Sequence, residues 1–494
     1  MLHADPAYWS AKDQIGALVE RKISALELLD HAIKRIDRFD ASINAVVVRD
    51  FERAREAAHD ADAALAKGEG RPLLGLPMTV KEAYNVAGLP TTWGMPMFKG
   101  WRAKEDALAV ARLKGAGAVI IGKTNVPFGL SDWQSYNDIY GTTNNPWDLN
   151  RTPGGSSGGA AAALAAGFVS LEIGSDLGGS IRAPAHFCGV FGHKSSYGII
   201  PLTGHVPPGA EPAASGGDGG LPVLGPLARS ADDLALALDV LAGPDAPETI
   251  AFQLALPPAR HRKLKDFRVL MLDTHPLQPA AEPVRAAIAR LADRLGKAGS
   301  KVAFESPLVP NLEEATRVYL SMMVSFSSQG RPPDYYRQMA ASVASLAPDD
   351  NSLATERLKG TVLSHQEWLI ANTARIKIRG KWRELFREWD VVISPIMPTA
   401  AFAHDHAPLD FSAQAQRQIA IDGKRYPYLD QLVWAATATL PGLPATVAPI
   451  ERSPEGLPIG VQIIGPYLED RTTIEFAGLV EREFGGFVPP TGHF

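Results

Sequence analysis

Between Pro153 and Ala185 the chain reads PGGSSGGAAAALAAGFVSLEIGSDLGGSIRAPA, with eight glycines, five serines and no histidine. Glycine at this density weakens helices and strands, so it marks backbone that must turn sharply or approach another group closely. The stretch divides into two serine-bearing glycine clusters, GGSSGG and GGSIR. Between them lie a small-residue helix, Ala160 to Ala166, and a strand, Val169 to Ile173. A helix of alanine lets its neighbours come close, which suits the interior of a packed site. The second cluster reads as strand, then Asp176-Leu177-Gly178-Gly179, then a helix opening at Ser180. Such a corner presents successive free backbone N–H groups at a helix N-terminus. That cradle stabilises the oxyanion of a tetrahedral intermediate, where one lost donor costs about 3–4 kcal/mol. Either cluster alone reads as a tight turn. Two of them, with serines at this spacing, point to chemistry.

Around this stretch, strands and helices alternate. Ser24 and Glu27 form a capping-box pattern, and Leu28, Leu29, Ile33 and Ile36 line one helix face. PLLGLPMTVKE reads as a strand ending in polar residues, DALAVARLKGAG as a helix closed by glycine, and AVIIGKT as a buried strand. FRVLML, a helix from Glu282 to Lys297 with Pro283 in its first turn, and SKVAFES form a later β-α-β run. Gly198 to Pro226 is rich in Pro and Gly; we expect an ordered loop over a site rather than a linker. With 494 residues, 46% of them hydrophobic, the chain can bury a large core, and its apolar runs are too short to span a bilayer. A net charge of −5 gives no footprint for nucleic acid. MLHADPAYWSAKDQIG lacks a basic region followed by an apolar core, so we expect no secretory signal and a cytoplasmic location. The single cysteine, Cys188, rules out intrachain disulfides, and its apolar setting reads as buried packing rather than a nucleophile.

Two further motif matches fail on context. Gly117, Gly122, Lys123 and Thr124 fit the phosphate-loop pattern, but the intervening Ala-Val-Ile-Ile reads as the strand itself, with its N–H groups committed to a sheet. Gly154, Ser156 and Gly158 fit the nucleophile elbow of an α/β-hydrolase-type esterase. That elbow follows a strand, whereas NNPWDLNRTPGG is a polar loop. Histidines downstream of this motif include His186, His193, His205, His275, His365, His404 and His406, none of these in an obvious strand-end loop with a matching acid. A serine still needs a base. Lys81, at the end of an apolar strand, is a candidate, because burial lowers a lysine pKa by several units from about 10.4. On this segment alone, Lys81 also reads as a solvated strand-end residue.

GLPMTVKEAYNVAGLPTTWG, GKTNVPFG, YGTTNNPWDLNRTPGGSSGG and GSDLGGSIRAPAHFCGVFGHK together resemble the amidase signature family, the serine hydrolases with a Ser-Ser-Lys triad. DVVISPIMPTAA, TLPGLPATVAPI and GLPIGVQIIGP extend the likeness towards the C-terminus; it is weak from Ala251 to Trp389. The resemblance implies one large α/β domain over 1–494, with a central mixed, mostly parallel twisted sheet covered by helices on both faces. Within it we expect N-terminal helices over 1–70, a catalytic core over 71–245, a variable substrate-pocket region over 246–390 and C-terminal core elements over 391–494. By position, the family's base falls on Lys81, its bridging serine, after a cis peptide bond, on Ser156, and its acyl-accepting serine on Ser180. Its oxyanion hole falls on the backbone of Leu177, Gly178, Gly179 and Ser180. Ser157, Asp176 and Arg182 are expected to hold the glycine loops by hydrogen bonds; the rival role for Arg182 is to grip an acidic substrate. Ser170 and Ser175 receive no chemical role. The family's Gly-Leu-Lys-Pro appears here as Gly192-His193-Lys194-Ser195, a departure beyond the triad.

The resemblance implies no cofactor and no metal, a small-molecule amide as partner, and a homodimer. The acyl or amine side of the substrate is less legible. Trp93, Phe128, Trp133, Tyr136 and Trp434 are candidate pocket residues, each of which also reads as core, and Met322 and Met323 are candidates for an acyl channel or for core. No arginine cluster marks a carboxylate site. We therefore expect hydrolysis of aryl or medium-chain apolar amides, with esters and anilides as further substrates. The alternative within the family is the glutaminase subunit of the tRNA-dependent amidotransferase. That subunit carries a serine- and alanine-rich run with Arg and Asp after the signature, where this chain reads YGIIPLTGHVPPGAEPAASGG. A scaffold without activity is disfavoured because all three triad positions are filled.

Overall fold

Local signals set the first elements. The Ser24 hydroxyl accepts from the Glu27 N–H and the Glu27 carboxylate accepts from the Ser24 N–H, which starts the Ala25–Ile43 helix. Leu28, Leu29, Ile33 and Ile36 form its buried face. The structure, a computed structural model, describes residues 5–210, 220–406 and 411–491.

PLLGLPMTVKE yields the Pro77–Lys81 strand, DALAVARLKGAG the Leu108–Gly115 helix and AVIIGKT the Val119–Thr124 strand. The two strands pair in parallel, and Val46–Arg49 completes a three-stranded sheet. Val119–Thr124 is paired on both sides, so Gly117 to Thr124 cannot curl around a phosphate. Lys123 Nζ donates instead to the Pro90 carbonyl and the Thr91 hydroxyl.

The larger sheet has eight strands in the order Lys301–Ala303, Arg268–Met271, Val391–Ser394, Pro458–Ile464, Ala445–Arg452, Phe191–Lys194, Val223–Ala228 and Leu171–Asp176. Alternate side chains feed two cores. Val391 and Ile393 join a core with the Ala231–Leu241, Glu282–Lys297 and Asp470–Phe484 helices. Val392, between them, joins a core with the Leu312–Ser327, His365–Glu388 and Leu432–Thr439 helices. Helices therefore cover both faces of a mixed α/β sheet, as expected.

The strand directions correct the expected parallel majority. Arg268–Met271 pairs in parallel with both its neighbours, and the other five pairings are antiparallel. Connection length accounts for one pair of each kind. The Glu282–Lys297 helix returns the chain to begin a parallel neighbour. Only residues 453–457 separate Ala445–Arg452 from Pro458–Ile464, and so short a link turns a hairpin.

The start of the Gly198–Pro226 stretch is ordered against the three-stranded layer. Asn85 and Leu108 N–H groups donate to the Gly204 and Thr203 carbonyls, and the His205 ring packs on Tyr84 and Trp93. Residues 211–219 lie outside the described residues, and Pro226 lies within the Val223–Ala228 strand. Among the described residues, no helix is long and apolar enough to cross a membrane.

Candidate active site

Lys81 ends its strand with its side chain fully buried. Its Nζ donates to Ser156 Oγ at 2.6 Å and to Ser175 Oγ at 3.0 Å. Burial disfavours the ammonium and lowers its pKa to about 7, against the opposing pull of Asp176 and Glu172. Two other lysines are as deeply buried, and neither donates to a serine hydroxyl. Lys123 meets Pro90 and Thr91, and Lys194 donates to the Ser195 and Leu443 carbonyls.

Ser156 reaches this amine because GGSSGG runs where side chains do not fit. A Cβ at Gly155 would lie 2.2 Å from the Asp132 carbonyl oxygen. The Gly155–Ser156 peptide is cis. The Gly158–Ala165 helix follows with every residue buried. The Ser157 N–H donates to the Ser180 carbonyl at 3.1 Å and so ties the two clusters together. The Ser157 hydroxyl, expected to hold the loops, makes no hydrogen bond with a described residue. It is wedged against Gly174, where an added Cβ would sit 2.7 Å from it. Only the backbone of Ser157 does the expected holding.

Asp176 holds the second cluster. Its carboxylate accepts from the N–H groups of Gly179 and Ile181, at 2.9 and 3.1 Å, and from Nε and Nη2 of Arg182, at 3.0 and 2.8 Å. Burial raises its pKa, but Arg182, Lys194 and the Ile181 N–H outweigh that and bring it down to about 2. Arg182 is equally buried and also donates to Gln462 and Thr439. With its guanidinium committed inward, it cannot grip an acidic substrate.

Of the four N–H groups expected to meet an oxyanion, the structure removes one. Gly179, at φ +92°, gives its N–H to Asp176, because the carboxylate lies inside the turn. Those of Leu177, Gly178 and Ser180 carry no hydrogen bond to a described residue. The helix that follows begins at Arg182 rather than Ser180.

The family model described as Amidase matches residues 27–474. The chain belongs to the amidase signature family. It is 32% identical to the fatty-acid amide hydrolase 2-A of Danio rerio, over 97% of this chain and 89% of that protein. It is also 32% identical to a glutamyl-tRNA(Gln) amidotransferase subunit of Anaeromyxobacter dehalogenans, over 97% and 96%. The structure of 6-aminohexanoate cyclic dimer hydrolase superimposes with a TM-score of 0.77 at 25% identity, covering 98% of this chain and 99% of that one. The protein is thus an amide-hydrolysing enzyme.

Two buried histidines of this amidase are engaged away from the relay. His193 pairs with Asp470 at 3.0 Å and with Thr446 at 2.9 Å, fully buried, and so binds its strand to the C-terminal helix. This is what the Gly192-His193-Lys194-Ser195 departure builds. His186 lies between Gly460 and the Thr399 carbonyl. His205 is pushed down to about 3 by burial and by Lys81. Residues 143–153 run as loop, so no strand feeds Ser156 as a nucleophile elbow requires. Cys188 is buried, its thiol pKa raised by burial, and donates to the Pro153 carbonyl.

The five expected pocket residues divide by burial. Trp93 and Phe128 are half-buried and adjacent, with the Gly129 N–H donating to the Trp93 carbonyl. Trp133, Tyr136 and Trp434 are buried, so the core reading applies to them. Trp133 donates its indole N–H to the Gly178 carbonyl at 2.8 Å, Tyr136 stacks on His406, and Trp434 packs against His275. Met322 is core and Met323 is half-buried.

Three residues near the amine and the loop lie beyond the expected set: Ser175, expected to have no chemical role, and Glu172 and Tyr319, not singled out in the sequence. Ser175 holds Lys81 Nζ; the available signal was a hydroxyl on the same strand face as Leu171 and Ile173. Glu172, raised to about 7 by burial, accepts from the Thr124 hydroxyl and the Ile173 N–H. Tyr319 donates to the Leu177 carbonyl at 2.9 Å from a helix 142 residues away, and nothing local announces it.

Proposed function

We propose that this amidase cleaves apolar amides through an acyl-enzyme on Ser180, with Ser156 passing the serine proton to Lys81. The reading rests chiefly on the 2.6 Å contact between the Ser156 hydroxyl and a fully buried amine whose pKa is near 7. When neutral, that nitrogen offers a lone pair to the hydroxyl proton. Ser180 Oγ attacks the substrate carbonyl carbon as its proton moves to Ser156 Oγ, and the Ser156 proton moves to Lys81 Nζ. The Leu177, Gly178 and Ser180 N–H groups face the charge that develops on the carbonyl oxygen. The relay then returns a proton to the nitrogen as the C–N bond breaks. Water attacks the ester carbon, gives its proton to the same relay, and the acid departs as Ser180 regains its hydrogen. Ser175 holds the amine in place throughout.

The apolar substrate class is supported by what borders the loop. A Cβ built on Gly178 would meet Leu432 at 3.1 Å, and one on Gly179 would meet Ile396 at 3.4 Å and Ala435 at 3.6 Å. A buried methylene contributes about 0.8 kcal/mol, close to a fourfold gain in binding. With anilides of increasing acyl length, kcat/KM is expected to rise by up to about fourfold per methylene from acetyl to octanoyl. A flat or falling series would exclude an apolar acyl site. The amidotransferase role remains the second reading because a relative bearing that name is equally similar over the same length. It predicts the opposite pattern: glutamine turnover that appears only with a partner protein, and no turnover of anilides.

A further inference from the structure

We infer that Tyr319 is a positioning residue that fixes the Gly178 N–H as an oxyanion donor. The inference rests on the acyl-enzyme reading. Tyr319 sits on the Leu312–Ser327 helix, fully buried, and its hydroxyl donates to the Leu177 carbonyl at 2.9 Å. That hydroxyl lies 3.7 Å from a Cβ built on Gly178. The Leu177–Gly178 peptide is trans, so its N–H points opposite its carbonyl. The next peptide is pinned at both ends: Trp133 donates to the Gly178 carbonyl and the Gly179 N–H donates to Asp176. The first peptide is pinned only at its carbonyl, by Tyr319. Gly178 therefore has a fixed orientation and a free N–H. A donor on the carbonyl also polarises the same amide and strengthens its N–H. Burial pushes the Tyr319 pKa well above its ordinary value, which keeps the hydroxyl a donor at working pH.

Glycine explains why a tyrosine is needed. Residue 178 has no side chain to wedge its peptide in place, and Leu177 and Gly178 are both partly exposed. An unanchored peptide there can rotate and swap its N–H for a carbonyl, which repels an oxyanion. The helix carrying Tyr319 lies outside the quoted motifs that carry the family resemblance, so the anchor is not announced by them.

Tyr319→Phe deletes the hydroxyl and keeps the ring in the core. It is expected to lower kcat by about 10- to 100-fold, less than loss of a direct donor, with KM changed by less than about twofold. The affinity of an aldehyde analogue that adds to Ser180 should fall by the same factor, while the affinity of the carboxylic acid product holds. Unchanged kcat, or KM and product affinity that weaken together with kcat, would overturn the inference. Should the Phe variant not fold, Tyr319→Met, with a flexible apolar filler, is read by the same criteria. Ser180→Ala separates the two levels. If that variant keeps turnover, the acyl-enzyme reading fails; if it is inactive while Tyr319→Phe is unaffected, only the role of Tyr319 fails.

Discussion

Ser180→Ala is expected to lower kcat on any amide by at least about 10⁴-fold while the melting temperature stays within a few degrees. The substitution removes one oxygen from a residue only 9% exposed. What holds that residue is backbone: its carbonyl accepts from Ser157, and Asp176 fixes the Gly179 and Ile181 N–H groups on either side. None of these contacts involves the hydroxyl, so the loop should survive and the chemistry should not. The residual rate would come from substrate binding and the remaining backbone donors. Because Ser180, Ser156 and Lys81 act as one relay, adding Ser156→Ala to Ser180→Ala should cost little more. Steady-state kinetics on an anilide, with thermal melts of both variants, check this. A loss below about tenfold would place the nucleophile elsewhere.

Lys81→Ala is expected to reduce kcat/KM at neutral pH by about 10²- to 10⁴-fold, the usual worth of a general base. Lys81 Nζ is the group that meets the Ser156 hydroxyl, at 2.6 Å. Alanine also leaves a hole in a fully buried site and strips Ser175 of its donor. Lys81→Met fills most of that volume without a base and separates the two effects. Both variants should lose activity alike, and Met should recover stability. If Met restores turnover, the lysine acts through packing and not as a base.

The chain was legible where chemistry and geometry are local. The capping box at Ser24, the helix from Glu282 to Lys297 and the strand ending at Lys81 each follow from spacing within a few residues. The glycine clusters were legible for the same reason, since side-chain-free backbone leaves a mark in sequence whatever lies opposite it. Sheet direction was not, because it depends on which distant strands become neighbours: Phe191–Lys194 pairs with Ala445–Arg452, some 250 residues on along the chain. The pocket candidates stayed open between ligand contact and core for a related reason. Trp133 and Trp434 resemble ligand contacts when aromatics are weighed by sequence alone, yet one anchors the Gly178 carbonyl and the other lies in the core. The roles of Ser175 and Tyr319 were not legible because each acts on a partner brought near only by folding.

The proposed relay needs a buried lysine that has lost its proton. The most direct measurement is the pH dependence of kcat/KM for an amide, from about pH 5 to about pH 9. Burial lowers the Lys81 pKa to about 7, and only the neutral amine accepts a proton. The rate should therefore rise tenfold per pH unit on the acid side, bend near pH 7 and level off above it. The residual activity of Lys81→Met should lack that bend. A wild-type profile flat across pH 7, or a bend that persists in Lys81→Met, would contradict the proposed relay.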